Sequence, residues 1–290
     1  MNILICSDGT PASENAARLG GLLARATQSQ VTLLGIAENP SDEQPLRQAI
    51  EQETDILRRT GVALQTAIQT GEPTAQILVE TSAKKYHLIV IGSRRSMASG
   101  RSWQSHRTYE IIKAIEPPVL VAMGTCERLS RILLCSGGKH FINDAVRLTA
   151  TFAAALHAEV TLFHVMPEPP AIYAHLTQLE EDVNALLASG SELGRNLVAE
   201  KRVLEKLGVV VKVRVRHGFV VDQLLDEMRD GNYDLIVSGS SRARGPLQHY
   251  IMGDVTERIL EAAECSVLVA RSRRPGPARG LWQSFARLFR

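Results

Sequence analysis

The chain is written twice, and that repeat limits its fold more than any other feature. "ILICSDG" (3–9) returns as "ILLCSGG" (132–138), and "VTLLGI" (31–36) returns as "VTLFHV" (160–165), both displaced by 129 residues. Further on, "YHLIVIGS" (86–93) returns as "YDLIVSGS" (233–240) at a displacement of 147, and "PVLVA" (118–122) as "SVLVA" (266–270) at 148. Two copies kept in order mean two structural units of one kind. The difference, 147 − 129 = 18, places an insertion in the second copy after its second strand.

Within each copy, short Val/Ile/Leu runs alternate with helical patterns. This is the pattern of parallel strands buried on both faces and joined by helical crossovers. Strands are expected near 2–7, 31–37, 62–69, 87–92 and 118–122, with Thr10 as a helix cap and Pro11 in the first helical position. The expected fold is α/β: two tandem doubly wound, Rossmann-like domains, each with a five-stranded parallel sheet. The domains run 1–124 and 128–272, with a helical insertion at about 170–206 and a basic amphipathic tail over 273–290. The connection "TCERLS" is too short for a flexible linker, so the two domains should pack as an internal dimer.

A net charge of +2, from 33 basic and 31 acidic residues, supplies no global field for nucleic acid. The start, "MNILICSDG", reads as a strand, and no apolar run approaches the ~18 residues a membrane span requires, so the expected location is cytoplasmic. Cys6, Cys126, Cys135 and Cys265 have no metal-ligand spacing, and three of them lie in apolar strand-like stretches where Cys reads as a small buried hydrophobe.

The ordered motifs "ILICSDG", "VTLLGI", "DLIVSGS" with its Arg/Gly loop, and "VTERILEAAECSVLVAR" resemble the universal stress protein family in a tandem, two-domain form. The resemblance implies pairing along the last strand of each domain. It also implies, for many members, an adenine nucleotide in the cleft where strand order reverses. Nucleotide-binding members look like Gly-x-x-Gly, nine residues, then Gly-Ser or Gly-Thr, with an aspartate ending the first strand. Glycines there admit backbone amides to phosphate oxygens, and the hydroxyl stands at a helix N-terminus.

The second copy keeps the outer glycines as Gly239 and Gly253, but Arg242 or Ala243 replaces the middle one, the loop is one residue longer, and Asp254 replaces the hydroxyl. A carboxylate ~4 Å from a phosphate costs about 1 kcal/mol in water and about 4 at an effective dielectric of 20. Asp254 and Glu257 also form a D-x-x-E arrangement ahead of Val255, which reads as a helix cap. The family's first-strand aspartate falls on Gly137 (8 + 129). The first copy keeps Asp8, Gly92 and Ser93, while His106 and Arg107 stand at the terminal Gly-Ser; Arg94, Arg95, Arg101 and Arg107 are candidate anion holders. The candidate nucleotide or anion residues are Gly239, Ser240, Arg242, Gly245, Gly253, Asp254 and Val255 in the second cleft, and Asp8, Gly92 and Ser93 in the first. The sequence fixes no cofactor; ATP or another adenine nucleotide is the candidate the resemblance implies. No catalytic constellation or metal-binding set assembles.

Several segments carry smaller expectations. "SGGKH" (136–140) lacks the Asp and Ser of an ATP-splitting loop and reads as a tight turn; His249 beside Tyr250 is a ligand-contact candidate. Leu176, Leu179, Val183, Leu186, Leu193 and Leu197 give the insertion a three-four spacing broken by "SGS", as in a hairpin or kinked helix that covers its own domain or a partner; "EED" (180–182) reads as its solvated face. Lys212, Arg214 and Arg216 alternate with valines, as on a charged sheet edge or a basic ligand patch. In the tail, Leu281, Trp282, Phe285, Leu288 and Phe289 make an apolar face beside Arg279, Arg287 and Arg290. That face suits docking on its own domain or on a sister subunit of a homo-oligomer, or peripheral contact with an anionic membrane. The resulting functional expectation is a non-catalytic stress-response binding or regulatory module with degenerate nucleotide sites. The alternatives are an ATP-binding protein with weak ATPase activity and a scaffold working through the inserted helices and tail.

Overall fold

The computed structural model describes residues 1–93, 102–126, 128–138, 143–167, 183–240 and 248–271, with the side chains of 102–107, 143, 240, 248–254 and 271 outside the description. Ten strands form one sheet: β1 (Asn2–Ser7), β2 (Gln30–Ala37), β3 (Leu64–Thr70), β4 (Leu88–Gly92), β5 (Val119–Ala122), β6 (Arg131–Cys135), β7 (Glu159–Met166), β8 (Val211–His217), β9 (Leu235–Ser240) and β10 (Ser266–Arg271). Their spatial order is β3-β2-β1-β4-β5-β10-β9-β6-β7-β8. Each half is parallel throughout, and the halves meet where β5 and β10 pair antiparallel through Val119–Val269, Leu120–Leu268 and Val121–Val267.

Nine α-helices stand among the described residues: α1 (Pro11–Ala26), α2 (Glu43–Arg59), α3 (Pro73–Ala83), α4 (Ser102–Ala114), α5 (Asn143–Leu156), α6 (Val183–Ala188), α7 (Glu192–Glu205), α8 (Val220–Gly231) and α9 (Gln248–Ala262). Because side chains alternate across a strand, Ile3 and Ile5 enter a core with α1, α2, α5 and α7. Leu4 and Cys6 enter the opposite core with α3, α4, α8 and α9. None of the described helices is long and apolar enough to cross a membrane.

Helix α7 corrects the expected insertion. At the displacement of 147, Leu46, Ile50 and Leu57 of α2 fall on Leu193, Leu197 and Leu204 of α7, and both sets face the same core. Thus α7 is the counterpart of α2, and the extra residues lie upstream of 192. The leucine spacing misled because α6 and α7 continue one apolar face across a break at Gly190, whose φ is +65°. Ser191 restarts the chain as a helix by accepting the Gly194 N–H at 3.0 Å. The sequence candidates Leu176, Leu179 and 180–182, and the tail, lie outside the described residues.

The outermost strand β8 is charged, but its cations are engaged. Lys212 meets Glu159 at 2.9 Å, Arg214 meets Glu227 at 2.8 Å, and Arg216 meets both Glu227 and Asp230 at 2.8 Å. The Tyr233 hydroxyl donates to Glu227 at 2.7 Å, and Glu227 is fully buried. The strand is the charged sheet edge its sequence suggests, and its cations pair with acids of β7 and α8, chief among them the buried Glu227, instead of forming a free basic patch. Breaking a buried pair strands the remaining charges, so Glu227→Ala should lower unfolding free energy by about 3 kcal/mol. Lys212→Ala, which breaks an exposed pair, should change it by less than about 1 kcal/mol; urea denaturation of both variants measures the contrast.

Candidate functional site

Strand order in the first half reverses between β1 and β4, and helices α1 and α3 approach there from opposite faces. A cleft of about 210 Å³ opens at that point. Asp8, Thr10, Ser13, Glu38 and Ser93 supply polar groups, while Ile36, Ile77, Ile91 and Ile111 form an apolar wall. This arrangement gives a small ligand both an apolar seat and convergent hydrogen-bonding groups.

Asp8 is exposed at the strand-to-helix turn. Its carboxylate accepts the Thr10 N–H at 3.0 Å and the Thr10 hydroxyl at 2.6 Å, an Asx turn that leads into α1. Pro11 occupies the first helical position, as the sequence suggests, but the Thr10 side chain makes no cap bond because its hydroxyl is turned onto Asp8. Gly9 takes φ +74° at the tip, a conformation that favours glycine.

Gly92 has a packing role that its motif does not suggest. A Cβ on it would lie 2.1 Å from the Ala12 carbonyl oxygen, so glycine is needed for β4 to pass the start of α1. Helix-to-strand packing by itself therefore requires a glycine here, and the same residue lines the cleft. Ser93 follows it at the cleft wall, with its N–H donated to the Ala122 carbonyl at 3.0 Å. Asp8, Gly92 and Ser93 are therefore brought together in one cleft.

The second-half candidates divide differently. Gly239 and Ser240 end β9, while Arg242, Ala243 and Gly245 lie outside the described residues, as do Arg94, Arg95, Arg101 and Lys139 to Phe141. Gly253 and Asp254 lie within α9, which begins at Gln248, so Asp254 is not the helix cap the D-x-x-E pattern suggests. The run from Gln248 to Met252 holds no helix breaker, and one interior glycine costs only about 1 kcal/mol, so the helix continues through Gly253. His249 and Tyr250 are in its first turn, and His106 and Arg107 are likewise inside α4. Val255 packs at the edge of the second core.

At the Asp8 position the second half has Gly137, around which a Cβ would meet no described atom within 4 Å. At the Glu38 position (38 + 129) it has Pro167. The turn behind is nevertheless retained: Gly138 has φ +69°, and its N–H donates to the Ser136 hydroxyl at 3.1 Å, as Gly9 does to Ser7 at 3.1 Å. Here His164 Nδ1 lies 2.8 Å from the Ser136 carbonyl, and burial holds its pKa below the ordinary range.

Sequence reasoning missed the acids behind both turns. Glu53 sits under Ser7 and Ser13, and Glu200 under Ser136, and burial raises both carboxyl pKa values, that of Glu200 to about 7. The available signal was alignment: Glu53 maps to Glu200 (53 + 147), and Ser7 to Ser136 (7 + 129). Among the described residues, no group of three or more His, Cys, Asp or Glu side chains could hold a metal. Burial also raises all four cysteine thiols, those of Cys135 and Cys265 to about 12, which leaves little reactive thiolate near neutrality.

The family model described as "Universal stress protein family" matches residues 1–122 and again 129–271. The chain belongs to the universal stress protein family. A universal stress protein of Mycolicibacterium smegmatis is 28% identical over 251 residues, covering 80% of this chain and 78% of the relative. Among solved structures, a universal stress protein from Archaeoglobus fulgidus has a TM-score of 0.65 at 14% identity, covering 94% of this chain and 98% of its own. A protein described as functionally unknown from Pseudomonas aeruginosa has a TM-score of 0.69 at 18% identity, covering 93% and 92%. These likenesses support the tandem, Rossmann-like architecture of this stress protein.

The close approach at Gly92 separates packing from ligand binding. Gly92→Ala should cost more than about 2 kcal/mol of stability, because a backbone oxygen must move. Gly137→Ala, with open space around it, should stay within about 0.5 kcal/mol; chemical denaturation compares the two.

Proposed function

We propose that this tandem universal stress protein is a non-catalytic ligand-binding or regulatory module whose phosphate grips are degenerate, with the first-half cleft as its binding site. The observation carrying the reading is the pairing of the exposed Asp8 carboxylate with an apolar isoleucine wall in one cleft. A nucleoside-like ligand suits it: a flat apolar body against Ile36, Ile77 and Ile91, and hydroxyl or amine donors for Asp8 and Glu38. Neither cleft is favourable for a polyphosphate. The first has Asp8 and Glu38 at its mouth, and the second has Asp254 in place of the terminal hydroxyl of the phosphate motif. The cytoplasmic setting and the regulatory role belong to the same proposal.

Calorimetric titration of the ligand-free protein with adenosine and with ATP tests it. The expected result is adenosine binding in one cleft, with ATP within about tenfold in affinity because its phosphates add little. Asp8→Asn should weaken both by about tenfold, the loss expected for a hydrogen bond to a charged group. Absence of adenosine binding, ATP binding more than about a hundredfold tighter than adenosine, or magnesium-dependent ATP turnover would overturn the proposal.

A further inference from the structure

Glu53 and Glu200 occupy positions where a carboxylate is costly. Each lies on the core-facing stripe of its helix, and they are only 2% and 5% exposed. Withdrawing an ion from water costs several kcal/mol unless it is well paired. Yet both copies keep an acid here, and both keep a serine at the end of the central strand beneath it.

A count of protons around Glu53 shows which form the geometry fits. Its Oε1 lies 2.9 Å from the Ser7 hydroxyl and 2.8 Å from the Ser13 hydroxyl; those hydroxyls are 3.0 Å apart, and Ser13 Oγ is 2.8 Å from the Thr10 carbonyl. That makes four oxygen-to-oxygen contacts served by two hydroxyl protons. If Glu53 is ionised and takes both, Ser13 Oγ faces the Thr10 carbonyl with no hydrogen between them. A proton on Oε1 supplies a third and leaves one contact, Ser13 Oγ to Oε1, without a hydrogen, against two in the ionised form. Glu53 then donates to Ser7, Ser7 to Ser13, and Ser13 to the Thr10 carbonyl, the group that also accepts the Ser13 and Glu14 amides where α1 begins.

The surroundings agree. Among the described residues, Oε2 of Glu53 and Oε2 of Glu200 have no hydrogen-bond partner, which a neutral acid tolerates better than an ion. The charged groups acting on Glu53 are Asp8 and Glu14, both negative, while Arg18 of α1 is engaged with Glu14. Around Glu200, the Ser136 hydroxyl is its hydrogen-bond partner, and His164 of β7 is driven toward its neutral form. Arg147 of α5 is exposed, and Arg214 and Arg216 of β8 are bound to Glu227 in the opposite core.

We propose that Glu53 is a positioning residue that acts as a neutral acid, lending a proton to Ser7 and thereby fixing the strand-to-helix turn of its half, and that Glu200 is held as a neutral acid at the equivalent place in the second half. Loss of the Glu53 proton draws both serine hydrogens onto the carboxylate and takes the Ser13 hydroxyl from the Thr10 carbonyl, which keeps only the Ser13 and Glu14 amides, loosening the turn that carries Asp8. On the ligand-binding reading above, first-cleft affinity therefore falls as pH rises. The sign for stability follows from the raised folded-state pKa values. The contribution is complete below the ordinary value of 4.5 and is lost as pH rises through the folded value, about 7 for Glu200.

Carbon-13 NMR of the full chain with labelled glutamate carboxyls tests this without a mutation. Two resonances should keep the protonated position to higher pH than the ordinary glutamates, that of Glu200 up to about pH 7. Glu53→Gln and Glu200→Gln should each remove one of them. Glu200→Gln should also abolish most of the stability loss between about pH 5 and pH 8 in urea titrations. If every glutamate titrates in the ordinary range, or if both variants retain the wild-type stability profile, the proposal is overturned. Adenosine affinity at about pH 6 and pH 8.5 should fall severalfold in the wild-type protein and stay level in Glu53→Gln. A failure of adenosine to bind at either pH counts against the ligand reading alone and leaves the carboxyl resonances as the test.

Discussion

Three cross-strand pairs, Val119 with Val269, Leu120 with Leu268 and Val121 with Val267, hold the two halves in a single sheet. All six residues are buried to within 1% of completely. Without this seam, β5 and β10 would each be an edge with a row of unpaired amides and carbonyls, a ready template for pairing with other chains. With it, the edges move out to β3 and β8. The seam also lets α1 and α5 meet over one face and α4 and α9 over the other, so each core runs through both copies. A short connection suffices because β6 starts only nine residues after β5 ends (131 − 122).

Much of this was legible from repetition. Similar strand motifs in one order dictated two doubly wound units, and the valine-charge alternation of residues 211–216 placed β8 at an edge. Less legible were features that depend on which face a residue turns inward. A glutamate between Ile50 and Leu57 reads as solvated helix surface, and only the structure shows Glu53 beneath Ser7. Gly92 matched a phosphate motif, but its spatial neighbour, the Ala12 carbonyl, cannot be inferred from spacing. Asp254 illustrates the limit of local capping patterns: D-x-x-E marks a helix start only if no helix is already running, and α9 had begun six residues before it.

The two copies have diverged unevenly. The turn glycines Gly9 and Gly138, the serine-glutamate pairs, and the tyrosine-glutamate pairs (Tyr86 with Glu80, Tyr233 with Glu227) persist in both. These are buried or conformationally fixed parts, where substitution leaves a cavity or an unpaired group. Change includes the turns at the strand ends, where Asp8 and Glu38 correspond to Gly137 and Pro167. One scaffold thus presents two chemically different openings.

The antiparallel seam also determines where those openings point. Within each half, all five strands run the same way and the turns of interest follow their C-terminal ends; across the seam, the direction is reversed. The Asp8 turn and the Gly137 turn consequently lie at opposite rims of the sheet. A molecule seated at one rim cannot touch the other, and a large partner closing over one leaves the second accessible. The duplication thus sets the Asp8 turn and the Gly137 turn apart by a distance fixed by the length of the chain's own strands.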